Sequence, residues 1–190
     1  MSVTSALKQG MLMLLAVSAP LGARPLLPPL PVVDDCVLAT SATTLDYGVR
    51  SLAQLHGSSR GDYLTPGRRR IQVRISCPRP RSMALHITSA DRGRTTIAYG
   101  EQGRLQVEVQ EAMLDGSPVA LSLFNAQGGS RETANQLLAG DEIRLPEKVS
   151  GRLLVLWLEF EPQLLPLAAS GLQSSEAHLR LSLVAPGSWR

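Results

Sequence analysis

Cys36 and Cys77 are the only two cysteines in this chain of 190 residues. They stand too far apart for a redox pair of the C-x-x-C kind. Two readings remain, a structural crosslink or two separately buried thiols. The three histidines, His56, His86 and His178, offer no pair at helix-face or short metal-ligand spacing, so no metal site is expected. A Ser-His-Asp triad needs a nucleophile raised on a sharp turn, and no nucleophile-elbow pattern is present. Gly128-Gly129-Ser130 has the glycines of a phosphate cradle but no lysine to reach a phosphate, and reads as a flexible loop. Arg60-Gly61-Asp62 spells the integrin-recognition tripeptide. Three common residues in a polar stretch read first as a solvated loop. These residue types point to neither an enzyme nor a cofactor.

The arginines are unevenly placed. Arg68, Arg69, Arg70, Arg74, Arg79, Arg81, Arg92 and Arg94 crowd the region around Cys77. Such a patch can dock a polyanion. The solvated side of an exposed strand accounts for the same residues, and no nucleic-acid partner is expected. The formal net charge of +3 includes Lys8, and is too mild to select acidic partners.

Cys77 ends an alternating run, Ile71-Gln72-Val73-Arg74-Ile75-Ser76-Cys77, with the period of a half-buried strand. Ile71, Val73, Ile75 and Cys77 share the inward side, where Cys77 can meet Cys36 inside a core. Residues 1–23 carry one positive charge, Lys8, the apolar run Met11 to Val17 and the small residue Ala23, the pattern of a signal peptide cleaved after Ala23. The apolar run is far short of the roughly 20 residues of a membrane span. An exported chain meets an oxidising compartment, which favours the crosslink over free thiols.

Residues 24–35 form a proline-rich lead-in, with Pro25, Pro28, Pro29 and Pro31 among Leu26, Leu30 and Val32 on one parity. Proline has no N–H to give a sheet, so this piece is extended but a poor central strand. Residues 36–190 read as one all-β domain. Short strands are expected at Thr43 to Tyr47, Arg69 to Cys77 (stopped by Pro78 and Pro80), Met83 to Thr88 and Ile97 to Tyr99. The run Leu105 to Val109 and the run Val119 to Phe124 are separated by Asp115-Gly116-Ser117-Pro118, a hairpin pattern. Thr133 with Gln136 resembles a capping box and predicts at most two helical turns before Gly140. Ile143 to Leu145 is a short strand. Leu153 to Phe160, apolar on both parities up to Leu158, predicts a strand buried on both faces or lying centrally in the sandwich, before the breakers Pro162 and Pro166. Ala177 to Val184 is the last, with Leu179, Leu181 and Leu183 inward and His178, Arg180 and Ser182 outward. Strands at this spacing with almost no helix predict an antiparallel β-sandwich.

A leader, a short extended segment, Cys36, then Leu45-Asp46-Tyr47-Gly48, the strand closing on Cys77 and the alternating terminal leucines together resemble a bacterial fimbrial subunit of the chaperone-usher pathway, in a branch whose pilin-like domain is uncharacterised. The resemblance runs from Cys36 to the C-terminus. It implies an immunoglobulin-like sandwich that is incomplete, missing its last strand, and a structural role in a pilus at the cell surface, reached through the periplasm. The implied partners are a periplasmic chaperone, an usher and neighbouring subunits. Leu179, Leu181, Leu183 and Trp189 would then line a groove, and Leu26, Leu30 and Val32 of the lead-in would be donor-strand residues. Main-chain hydrogen bonds give such an interaction its affinity, and alternate side chains give it register. The alternative is a free-standing secreted or periplasmic sandwich that binds a ligand or polyanion through its arginine-rich strand.

Overall fold

The computed structural model describes residues 35–59, 61–90, 96–131, 135–166 and 174–184. In chain order the elements are β1 (Val37–Thr40), a 3-10 turn (Leu52–Gln54), β2 (His56–Gly57), β3 (Leu64–Thr65), β4 (Arg69–Arg81), β5 (Ala84–Ser89), β6 (Ile97–Tyr99), β7 (Gly103–Leu114), β8 (Ser117–Pro118), β9 (Ser122–Phe124), β10 (Gln136–Leu137), β11 (Glu142–Arg144), β12 (Gly151–Leu164) and β13 (Leu179–Leu183). Every strand pairing among the described residues is antiparallel. The larger sheet is built on β1-β4-β12-β7, with β6, β8 and β10 along the far side of β7 and the β2–β3 hairpin at one end of β12. The smaller sheet runs β13-β5-β11-β9.

Alternation decides which side chains these two sheets share. Ile71, Val73 and Ile75 of β4 and Leu154, Leu156, Leu158 and Phe160 of β12 turn inward from the larger sheet, and Leu85, Ile87, Leu123 and Ile143 meet them from the smaller one in a single core. Val73, Ile75, Leu85, Ile87, Leu156 and Leu158 have no accessible surface at all. Full burial of one such side chain stabilises the fold by about 1.5–3 kcal/mol. The chain is thus an all-β, antiparallel sandwich, as the strand spacing predicts.

The expected central strand is β12, which pairs with β4 on one side and β7 on the other. It is longer than predicted because Pro162 does not stop it. Pro162 lies after the last β4 pair, Phe160 with Arg69, and before the β3 pair, Leu164 with Leu64. A gap between flanking strands tolerates a residue without an N–H. For a related reason Pro78 and Pro80 do not end β4. The β4–β12 register slips between the Gly151–Arg81 and Leu153–Ser76 pairs, so both prolines fall beside a bulge.

Three other expectations are corrected. The strand predicted at Thr43 to Tyr47 is irregular chain, because the edge of β4 is already taken by β1, and Ser41 closes that ladder through its hydroxyl on the Gln72 N–H. Val119 to Phe124 does not return along β7. Asp115 and Gly116 both take positive φ, 49° and 86°, which is what a two-residue hairpin turn requires, but the returning strand is only β8, and the chain then crosses to the smaller sheet as β9. No helix forms over 135–140. Gln136 and Leu137 instead pair with β7 as β10, burying Leu137, and Asp141 takes the Leu138 N–H. Thr133 lies outside the described residues.

Candidate functional site

Each sheet has one edge that no described strand covers on the same side of the molecule. β4 and β5 are second in their sheets and are joined by only Ser82 and Met83. On the other side, short connections run from β8 to β9 and from β10 to β11, so β9 and β11 lie toward β7. β1 and β13 are therefore the two edges that border the same seam. Among the described residues each pairs with one strand, β1 with β4 and β13 with β5.

The core thins toward this seam. Leu181 and Leu183 stand opposite Ile87 and Leu85, which are fully buried, yet both leucines, and Leu179 with them, are only half-buried while packing on the core. Leu38 on β1 is in the same condition. Arg180 is exposed, as its outward phase predicts, and Ser182 half-buried. The structure thus places Leu179, Leu181 and Leu183 together on one edge strand. Trp189, and Leu26, Leu30 and Val32 of the lead-in, lie outside the described residues, as does the signal-peptide stretch 1–23.

Cys36 and Cys77 form a disulfide. Cys77 lies on the inward face of β4 within the core and Cys36 packs against that core, as the alternation predicts. Val37 pairs with Ser76, so Cys36 falls opposite Cys77 and the bridge staples edge strand β1 to its neighbour in the same sheet.

The arginine-rich strand is largely self-neutralised at one end. Arg68 lies 3.2 Å from Glu159 and 3.5 Å from Glu161, and Arg70 lies 3.5 Å from Glu159. The Glu161 charge holds the Arg68 guanidinium above its ordinary pKa. Arg74, farther along β4, is exposed. Arg92 and Arg94 lie outside the described residues.

A buried polar cluster was not singled out from sequence. Glu161, Gln163 and Gln106 are 4%, 0% and 7% exposed, on the face of β12 and β7 that looks away from the core. Ser59 donates its hydroxyl and its N–H to Glu161. Gln163 donates to Gln106, and Arg104 to Gln163 while stacking on the Tyr63 ring at 4.0 Å. Burial alone would push the Glu161 carboxyl up, but the Ser59, Gln163 and Arg68 interactions outweigh it and its pKa falls below the usual range. The cluster fastens the β2–β3 hairpin to the larger sheet. Gly61 and Asp62 are exposed at the tip of that hairpin, as a solvated loop predicts, and Arg60 lies outside the described residues. The signal available was the polar alternation Glu159, Glu161, Gln163 after an apolar run.

The histidines do not converge. His56 and His178 are exposed, while His86 stands between Ser182 and Glu142 across three strands of the smaller sheet. That row does not make a triad, because Glu142 commits both oxygens to Arg144. A cavity of about 230 Å³ opens beside β7 and is lined by Ile97, Leu105, Leu137, Arg104 and Arg131 among others. Its two guanidiniums are already engaged, Arg104 as above and Arg131 with Asp141. Among the described residues no cluster of three or more metal-ligating side chains forms, and no helix is long and apolar enough to cross a membrane. No protein-family model matches the chain, and no curated protein matches it.

Proposed function

We propose that this chain is a structural subunit of a surface fibre assembled through the chaperone-usher pathway, with an added strand entering the seam between β1 and β13. The observation that supports the reading is the state of β13. It is a sheet edge whose leucines pack on the core yet stay half-buried, while Ile87 and Leu85, the β5 partners of Leu181 and Leu183, are closed from solvent. An edge of this kind offers unpaired N–H and C=O groups, which templates pairing with another chain. An incoming strand gains those hydrogen bonds and, at alternate positions, covers the leucines. The chaperone would supply that strand in the periplasm, and residues 24–35 of a neighbouring copy, through Leu26, Leu30 and Val32, in the fibre. Neutralisation of Arg68 and Arg70 by Glu159 and Glu161 weighs against the polyanion-binding alternative.

The test compares the protein from residue 24 with a form lacking 24–35, and adds a synthetic peptide of residues 24–35. The expected result is self-association of the longer form and a monomeric or chaperone-requiring shorter form whose melting temperature rises with the peptide. At a peptide concentration 100 times Kd the gain is about 2.7 kcal/mol, or about 5–10 °C for a domain of this size. Leu181→Asp should abolish that gain, since it sets an unpaired charge in the seam. Two monomeric forms that fold reversibly and ignore the peptide would overturn the reading.

A further inference from the structure

The two sulfurs of the Cys36–Cys77 bridge are not equivalent. Cys77 is buried in β4 at 8% exposure. Cys36 is half-buried, immediately before an edge strand. The Arg81 guanidinium Nη1 stands 3.8 Å from Cys36 Sγ. Arg81 is itself half-buried, and its backbone is fixed opposite Gly151 of β12 beyond the β4 bulge. A permanent positive charge is therefore held beside the sulfur of the more exposed cysteine. The other charged residues nearest along these elements are Asp35, Arg79 and Arg152, all exposed.

We propose that Arg81 makes Cys36 the exchanging sulfur of the bridge, the atom through which external thiols and disulfides react with this protein. In bridge formation, Cys36 loses its proton to solvent, and the Cys36 thiolate attacks the disulfide of an oxidant such as glutathione disulfide. A Cys36–glutathione mixed disulfide forms and one glutathione thiolate leaves. Cys77 then gives its proton to solvent and attacks Cys36 Sγ, releasing the second glutathione thiolate. Two protein thiols are oxidised and one glutathione disulfide is reduced to two glutathiones. In the reverse direction access decides: a glutathione thiolate reaches Cys36 Sγ, on the more exposed residue of the pair, and Cys77 leaves. Negative charge spreads over three sulfurs in each transfer, and the guanidinium beside Cys36 stabilises it.

A cation beside a cysteine raises the share of thiolate, the attacking species, and takes back part of that gain through lower nucleophilicity, so the net rate effect is about threefold. Brief exposure of the folded, bridged protein to reduced glutathione, followed by alkylation and peptide mass mapping, is expected to place glutathione on Cys36 and the alkyl group on Cys77. Oxidation of the reduced protein by glutathione disulfide at pH 7 should be about threefold slower in Arg81→Gln. Arg81→Lys should retain most of the rate, and Arg74→Gln, the same charge change away from the bridge, all of it. Glutathione on Cys77, or equal oxidation rates in Arg81→Gln and Arg74→Gln, would overturn the proposal. The mapping uses the unaltered protein, so it decides which sulfur exchanges even if a variant fails to fold, and an oxidation rate in the unaltered protein that rises with pH about the ordinary thiol pKa, rather than below it, would count against a role for the Arg81 charge.

Discussion

Replacing both bridge cysteines with serine removes the staple without leaving a free thiol. The bridge spans 41 positions, and the chain-entropy relation gives a loop of that size a closure term of about 4 kcal/mol. For a domain of this size each kcal/mol moves the melting temperature by about 2–4 °C, so the double variant should melt about 8–16 °C lower. The loss also has a location. β1 is four residues long and among the described residues pairs only with β4, so without the bridge it should open before the rest of the sandwich. Urea unfolding of the oxidised protein and the double variant measures the first effect, and amide hydrogen exchange over Val37–Thr40 measures the second. A midpoint unchanged to within about 0.5 kcal/mol, the usual scatter of neutral surface substitutions, would refute the closure argument. Exchange over β1 no faster than over β4 would refute the staple.

Two further outcomes bear on the outward face of the larger sheet. Glu161→Gln removes a carboxylate held by Ser59, Gln163 and Arg68, and should cost about 1–3 kcal/mol at pH 7 in thermal or urea unfolding. Because the folded pKa of Glu161 lies below its unfolded value, its contribution is complete above about pH 5 and is lost as pH falls through the folded pKa. The variant should therefore lose less stability than the parent on acidification. Asp141 acts in the opposite sense, since burial raises its pKa and acid relieves that cost; a parent curve no steeper than the variant's would count against the Glu161 argument. Arg70→Gln with Arg74→Gln should change stability by no more than about 0.5 kcal/mol and leave heparin retention unchanged. A salt-sensitive retention that disappears in the double variant would favour polyanion binding.

The class of fold and much of its interior were legible in the order of residues alone. Period-2 alternation is a local property, so Ile71, Val73 and Ile75 and the terminal leucines could be assigned a face without knowing their neighbours, whereas Leu153 to Phe160, apolar on both parities up to Leu158, took its inward face only from the sheets around it. A separate reading, the count of two cysteines behind a leader-like stretch, favoured a crosslink, and the Cys36–Cys77 bridge is present. What alternation cannot supply is the neighbour. Whether Gln136-Leu137 coils or pairs depends on the free edge of β7 waiting beside it, and the ladder outweighs a capping pattern worth about 1 kcal/mol. Whether Pro78, Pro80 and Pro162 end a strand depends on bulges and gaps in the flanking strands, which are set by register across residues far apart in the chain. The bridge between adjacent strands, the Glu161–Gln163–Gln106 cluster under the β2–β3 hairpin and the seam between β1 and β13 are likewise products of pairing order. Each exists only once strands distant in sequence have chosen partners, and that choice is made by shared burial of the whole core, not by any one stretch of residues.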